Sequence, residues 1–201
     1  MIAVLTSDLV KSKEIPFNKR RVLLNAHKKW IKGQGDKFEI FRGDSIQGTI
    51  KTYQNSLSKA LELITLTILL KAEIRISIGI GSIEFNANKV VESDGIAFRL
   101  SGDRLNKMHH EQRIIISTES KFTNDILHTI STLLNGILTK WSSEQAEAIY
   151  YSLIGDNQEA ISHKLKISQS AVNQRLKAAN WNDINYTNQW FINNIEALCH
   201  L

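Results

Sequence analysis

Apolar and polar positions follow two rhythms along this chain. Met1–Leu5 is a short apolar run, the pattern of a strand buried on both faces. Pro16 stands where a helix can begin, and Val22, Leu23, Ala26, Trp30 and Ile31 share one side of Arg21–Ile31 before Gly33-Gln34-Gly35 stops it. Lys37–Phe41 and Ser45–Ile50 alternate around Arg42-Gly43-Asp44, which predicts a hairpin. Tyr53–Lys71 reads as a long apolar helix, Arg75–Gly81 as a strand, Asp94–Met108 as a helix and Arg113–Ser117 as a buried strand. The order βαββαβαβ predicts an α/β layer fold, of the α+β ferredoxin-like kind, with helices packed on a sheet.

From residue 122 to residue 178 the rhythm is helical. Phe122–Trp141 carries Ile126, Ile130, Leu133 and Ile137 on one stripe, with Leu127, Leu134 and Leu138 beside it. Coverage that wide predicts a helix docked on the sheet or paired with its twin in a dimer. Trp141-Ser142-Ser143-Glu144 opens the next helix with a hydroxyl cap, and Gly155 ends it. Asn157–Leu165 is a short helix, and Ser168 caps another over Gln169–Ala178.

The segment Gln158–Val172 (QEAISHKLKISQSAV) resembles the sigma-region-four and LuxR type of helix-turn-helix, an all-α DNA-binding unit. The resemblance implies that Ser168, Gln169, Ser170, Asn173, Gln174, Arg175 and Lys177 face a DNA major groove. Gln and Asn suit adenine; Arg suits guanine or phosphate. Ser162 and Lys166 stand where the motif usually has alanine and the turn glycine. A three-helix unit that binds protein is the competing reading.

Composition narrows the picture. A hydrophobic fraction of 42% and a charged fraction of 22% belong to a folded chain. The longest apolar run, Leu61–Leu70, contains Glu62 and is too short for a membrane span, so no membrane partner is expected and the cytoplasm is the expected compartment. The single cysteine, Cys199, excludes an intramolecular disulfide and a cysteine-based zinc site. Residues 1–122 carry 20 Lys/Arg against 13 Asp/Glu, and residues 123–201 carry 5 against 7. A DNA-binding tail of net negative charge therefore depends on a local face, which Lys164, Lys166, Arg175 and Lys177 supply.

Two carboxylates carry candidate chemistry in the first half. Asp8 follows the first strand and Asp44 sits in the hairpin turn, between Gly43 and Ser45. In a βαββ sheet these places lie side by side, and two carboxylates there could hold divalent metal on a nucleoside triphosphate. Alternatively Asp8 caps a helix and Asp44 only shapes a turn.

Residues 1–122 resemble the catalytic fold of class III nucleotide cyclases, through Asp8, Gly43-Asp44 and the Arg75–Gly81 strand (RISIGIG). The whole chain resembles the SatD family, through Ile2–Ser12, Phe41–Gly48, Ile78–Gly81, Glu92–Phe98 and Ile167–Ala178. The cyclase resemblance implies Mg²⁺ or Mn²⁺ on Asp8 and Asp44, a nucleoside triphosphate or other nucleotide beside Gly43 and Ser45, and Arg104 as a catalytic group. It also exposes departures. Leu100 stands where those enzymes place a transition-state Asn, and Ile40 where they place a purine-selecting Lys.

The sequence therefore predicts a cyclase-like domain over 1–122, a connecting or dimerisation helix over 123–140 and a helix-turn-helix domain over 141–201. The expected function is a homodimeric DNA-binding transcriptional regulator whose cyclase-like nucleotide- and metal-binding domain controls the reader. The alternative is a nucleotidyl cyclase regulated through its helix-turn-helix. A third reading is a scaffold that binds only protein.

Overall fold

A computed structural model describes residues 1–200. Its strands are β1 (Ile2–Leu9), β2 (Lys37–Phe41), β3 (Ser45–Ile50), β4 (Ile74–Gly81) and β5 (Ile114–Ser117). Its helices are α1 (Phe17–Lys32), α2 (Ser56–Leu69), α3 (Ile96–Lys107), α4 (Lys121–Leu138), α5 (Ser143–Leu153), α6 (Gln158–Leu165), α7 (Gln169–Ala178) and α8 (Trp181–Cys199). The first half follows the expected βαββαβαβ order, in one mixed α/β unit with sheet order β2-β3-β1-β4-β5. β1 is central and antiparallel to both β3 and β4, while β4 and β5 run parallel.

Its central place explains why β1 is apolar on both faces: Ala3 and Leu5 join the main core, and Val4 packs with Val90, Ala97 and Phe98 beneath α3. β1 is also longer than its apolar run. Cross-strand partners extend it through Ser7, opposite Ile46, and Asp8, opposite Arg75, so Asp8 lies inside the strand rather than after it.

α2 is apolar on most of its circumference because it is covered on two sides. One side lies on the sheet, and the other receives α5 and α8. Its threonines return their hydroxyls to the helix, Thr65 to Leu61 O and Thr67 to Leu63 O, which satisfies both buried groups. Across the sheet, α3 sits so close to β4 that a Cβ at Gly79 would lie 2.3 Å from Ala97 O and 2.6 Å from Ser101 N. Only glycine allows that approach.

α4 buries Thr123, Leu127, Ser131, Leu134 and Leu138 and packs on β5. Its Asn135 side chain accepts from the N–H groups of Arg113 and Ile114 and donates to Ile114 O. This amide caps the open edge of the sheet, where unpaired backbone would otherwise invite another strand. The outer flank of α4 leaves Phe122 and Leu133 exposed.

Beyond Ala178, where the predicted elements end, α8 closes the molecule. Ile184, Phe191 and Ile195 are fully buried, Ser58 donates to Asn188, and Thr123 donates to Leu198 O. The spacing of those three apolar residues is helical and was the signal to use. A single cluster of buried apolar side chains runs from Leu5 through Ile64 to Ile149, Val172 and Phe191.

Candidate functional site

Asp8 and the Asp44–Ser45 pair end neighbouring strands at the same end of the sheet, as the Ser7–Ile46 pairing requires. Arg75 enters β4 there. Its Nε donates to Asp8 Oδ1 at 2.9 Å and its Nη2 to Oδ2 at 2.5 Å, while Nη1 donates to Met108 O. Both carboxylate oxygens of Asp8 thus accept from one guanidinium, in the bidentate geometry that arginine favours. The pair is mostly buried, with 14% of the Arg75 and 29% of the Asp8 side chain exposed.

Asp44 belongs to a different small cleft, lined by Leu9, Leu24, His27 and Ile40. Its one side-chain hydrogen bond is from Ser45 Oγ at 3.5 Å. Gly43 has φ 87° and Arg42 φ 51°, so the hairpin turns on two left-handed residues and points Arg42 outward. The structure therefore brings Asp8 and Asp44 to one end of the sheet but gives them different neighbours, Arg75 for Asp8 and Ser45 for Asp44. A divalent cation would have to displace Arg75, and no cluster of three or more His, Cys, Asp or Glu forms among the described residues. The Mg²⁺ or Mn²⁺ expectation does not fit this arrangement.

Arg104 is apart from both. It lines a cleft of about 200 Å³ with Ser117, Asn124, Asp125 and His128, between α3, β5 and α4. The residue that sequence reasoning missed is Arg75; its position opposite Asp8 follows only from strand register.

The second candidate surface is the α6–α7 pair. Ile161, Val172 and Leu176 are buried and fix the two helices against each other and α5. Asn157 caps α6 by accepting from Ala160 N, and Ser168 caps α7 by accepting from Ala171 N. Lys166, at the turn, adopts φ 54° and ψ 43°, the conformation expected of the glycine it replaces. Ser168, Gln169, Ser170, Gln174 and Lys177 are exposed and Asn173 half-exposed along α7. Arg175 turns instead to α5, with Nη1 3.5 Å from Glu147 Oε2. Lys164 is likewise held, by Asp156 and over the ring of Tyr151. Of the four cations expected to make the local positive face, Lys166 and Lys177 alone have no ion pair among the described residues.

A five-stranded mixed sheet that continues into a layer of five helices defines the class of fold. The SatD family model matches residues 1–189, and the chain belongs to the SatD family. No curated protein matches it. Among solved structures it is similar to a bacterial light-regulated adenylyl cyclase, with 13% identity and a TM-score of 0.46 over 58% of this chain and 42% of that one. A guanylyl cyclase, Cya2, is similar at 20% identity and a TM-score of 0.41, over 58% of this chain and 74% of that one. The chain thus covers less than half the length of the light-regulated enzyme.

Proposed function

We propose that this protein is a DNA-binding transcriptional regulator in which the sheet unit, residues 1–122, binds a nucleotide and controls a helix-turn-helix reader within residues 141–201. The observation that carries the reading is the exposed amide- and hydroxyl-bearing face of α7, set off from α6 by a left-handed residue and a serine cap. Gln169, Asn173 and Gln174 have no intramolecular side-chain hydrogen bond among the described residues, which is the state of a face that meets base edges.

Control runs through packing. α5 lies between α2 and the α6–α7 pair, and its Glu147 engages Arg175 of α7. Trp141, at the end of the 123–140 segment, donates its indole N–H to Ala179 O just past α7. A ligand that shifts α2 against the sheet moves both contacts. On the sheet unit, Lys11, Lys13 and Arg42 are exposed on the loops that flank Asp8 and Asp44, and suit an anionic nucleotide. A homodimer would cover Phe122 and Leu133 on α4. No helix among the described residues is long and apolar enough to cross a membrane.

The test is fluorescence anisotropy on duplexes from upstream of the gene. Gln169→Ala and Asn173→Ala should each cost about 1–3 kcal/mol on the preferred sequence and little on scrambled DNA. Equal loss on both sequences would end the groove-reading role. Adding ATP or GTP should change the affinity, and release of pyrophosphate would transfer the sheet unit to the cyclase reading.

A further inference from the structure

α1 is the most one-sided element of the chain. Its sixteen residues include Lys19, Arg20, Arg21, Lys28, Lys29 and Lys32 and no Asp or Glu. None of these cations forms an ion pair among the described residues. Lys19 and Arg20 donate to the backbone carbonyls of Lys71 and Ser12, which leaves their charge unneutralised. Arg21, Lys28, Lys29 and Lys32 are exposed. Exposed helices ordinarily mix signs, and a run of one sign raises a local positive potential that favours an outside anion.

The place of this helix gives the charge a partner. A groove of about 530 Å³ separates α1 from α5, with Lys29 and Trp30 on one wall and Glu147 and Tyr150 on the other. Glu147 in turn holds Arg175, so the C-terminal half of α1 and the body of α7 flank the same helix. Among the described residues, α7 itself keeps only Lys177, and the preceding turn only Lys166, as cations with no ion pair.

We infer that Lys28, Lys29 and Lys32 form a second DNA contact, gripping the phosphate backbone of a duplex whose major groove α7 occupies. This rests on the DNA-reading role of α7. Reading and gripping are then divided: neutral side chains on α7 select sequence, and the sheet unit supplies much of the electrostatic affinity. The division accounts for a helical half with more acids than bases and a sheet half with the excess of bases.

The experiment compares the full chain with the Lys28→Gln, Lys29→Gln, Lys32→Gln triple variant. Its probe is a 30-base-pair duplex of random sequence, titrated at several salt concentrations. Each phosphate contact contributes about 0.9 to the slope of log affinity against log salt, so the triple variant should lose about 2–3 units of slope. The Lys→Arg triple should keep the slope, and both should keep the thermal midpoint, because no native ion pair is removed. An unchanged slope in the Gln triple overturns the inference. Failure of the α7 role reads differently: Gln169→Ala and Asn173→Ala would leave sequence preference intact while the α1 variant still lost slope. Binding to phosphatidylserine vesicles that is lost in the triple, with no change on DNA, would reassign the face to a membrane surface and also overturn it.

Discussion

The two candidate surfaces treat their polar side chains in opposite ways. At the sheet end, Asp8 is closed by Arg75, Arg75 also binds Met108 O, and the buried Thr6 and Ser101 hydroxyls bond each other. On α7, Gln169, Gln174 and Lys177 are exposed and Asn173 half-exposed, with no side-chain hydrogen bond or ion pair among the described residues. A group already bonded within the fold meets a ligand only by exchanging one bond for another, which limits the net gain. A solvated group on a rigid helix has no such competitor. The difference separates a surface whose polar groups are free to meet a ligand from one that must first rearrange.

If the sheet layer really is closed in this way, its polar groups should govern stability, and acid should show it first. His27 is 3% exposed on α1 and bonds Thr67 of α2 at 2.9 Å. Burial lowers its pKa to about 4, from an ordinary 6.5. Between those values the unfolded chain takes up a proton that the folded one refuses, so stability falls as pH falls from 6.5 toward 4. The loss attributable to this residue is about 3 kcal/mol across the window. Urea melts at pH 7 and pH 4.5 should differ accordingly, and His27→Gln should flatten that difference. An acid limb unchanged in His27→Gln would move the burial cost elsewhere.

A smaller effect separates the two surfaces directly. Asp8→Asn or Arg75→Gln leaves a partly buried group unpaired and should cost about 1–3 kcal/mol, with the double variant recovering part of it. Gln174→Ala on α7 should stay within about 0.5 kcal/mol. Additive losses at Asp8 and Arg75 in a double-mutant cycle would mean that the bidentate pair contributes nothing to closure.

Much of the frame was legible from pattern. The hairpin strands Lys37–Phe41 and Ser45–Ile50 and the helix Gln169–Ala178 fall where the alternation, the turn residues and Ser168 put them. What pattern could not carry was the pairing of distant residues. Nothing local to Asp8 shows that Arg75 stands opposite it, because the register of β1 on β4 sets that. Nothing local to Arg175 shows that Glu147 draws it off the exposed face. The helical spacing of Ile184, Phe191 and Ile195 marks α8 in the sequence, but nothing local to it shows that Asn188 meets Ser58 or that Leu198 O meets Thr123. The candidate site residues were therefore identifiable by chemistry, while their availability depended on tertiary partners.

The smallest effect probes the turn that orients α7. Lys166 holds a left-handed conformation, its N–H bonds Ser162 O, and the next N–H, of Ile167, bonds the same carbonyl. A non-glycine residue pays about 1–2 kcal/mol for that backbone, and glycine gives back about 0.5–1 kcal/mol in unfolded-chain entropy. Lys166→Gly should thus stabilise the protein by about 0.5–1 kcal/mol, or about 1–4 °C in Tm. The same substitution removes one of the two unpaired cations beside α7, so the salt slope of DNA binding should fall by about 0.9 if Lys166 touches a phosphate. Higher Tm with weaker, less salt-dependent binding would show that lysine is kept at this turn for the duplex and at the expense of the fold. Higher Tm with an unchanged slope would place Lys166 off the DNA and leave the grip to Lys177 and α1.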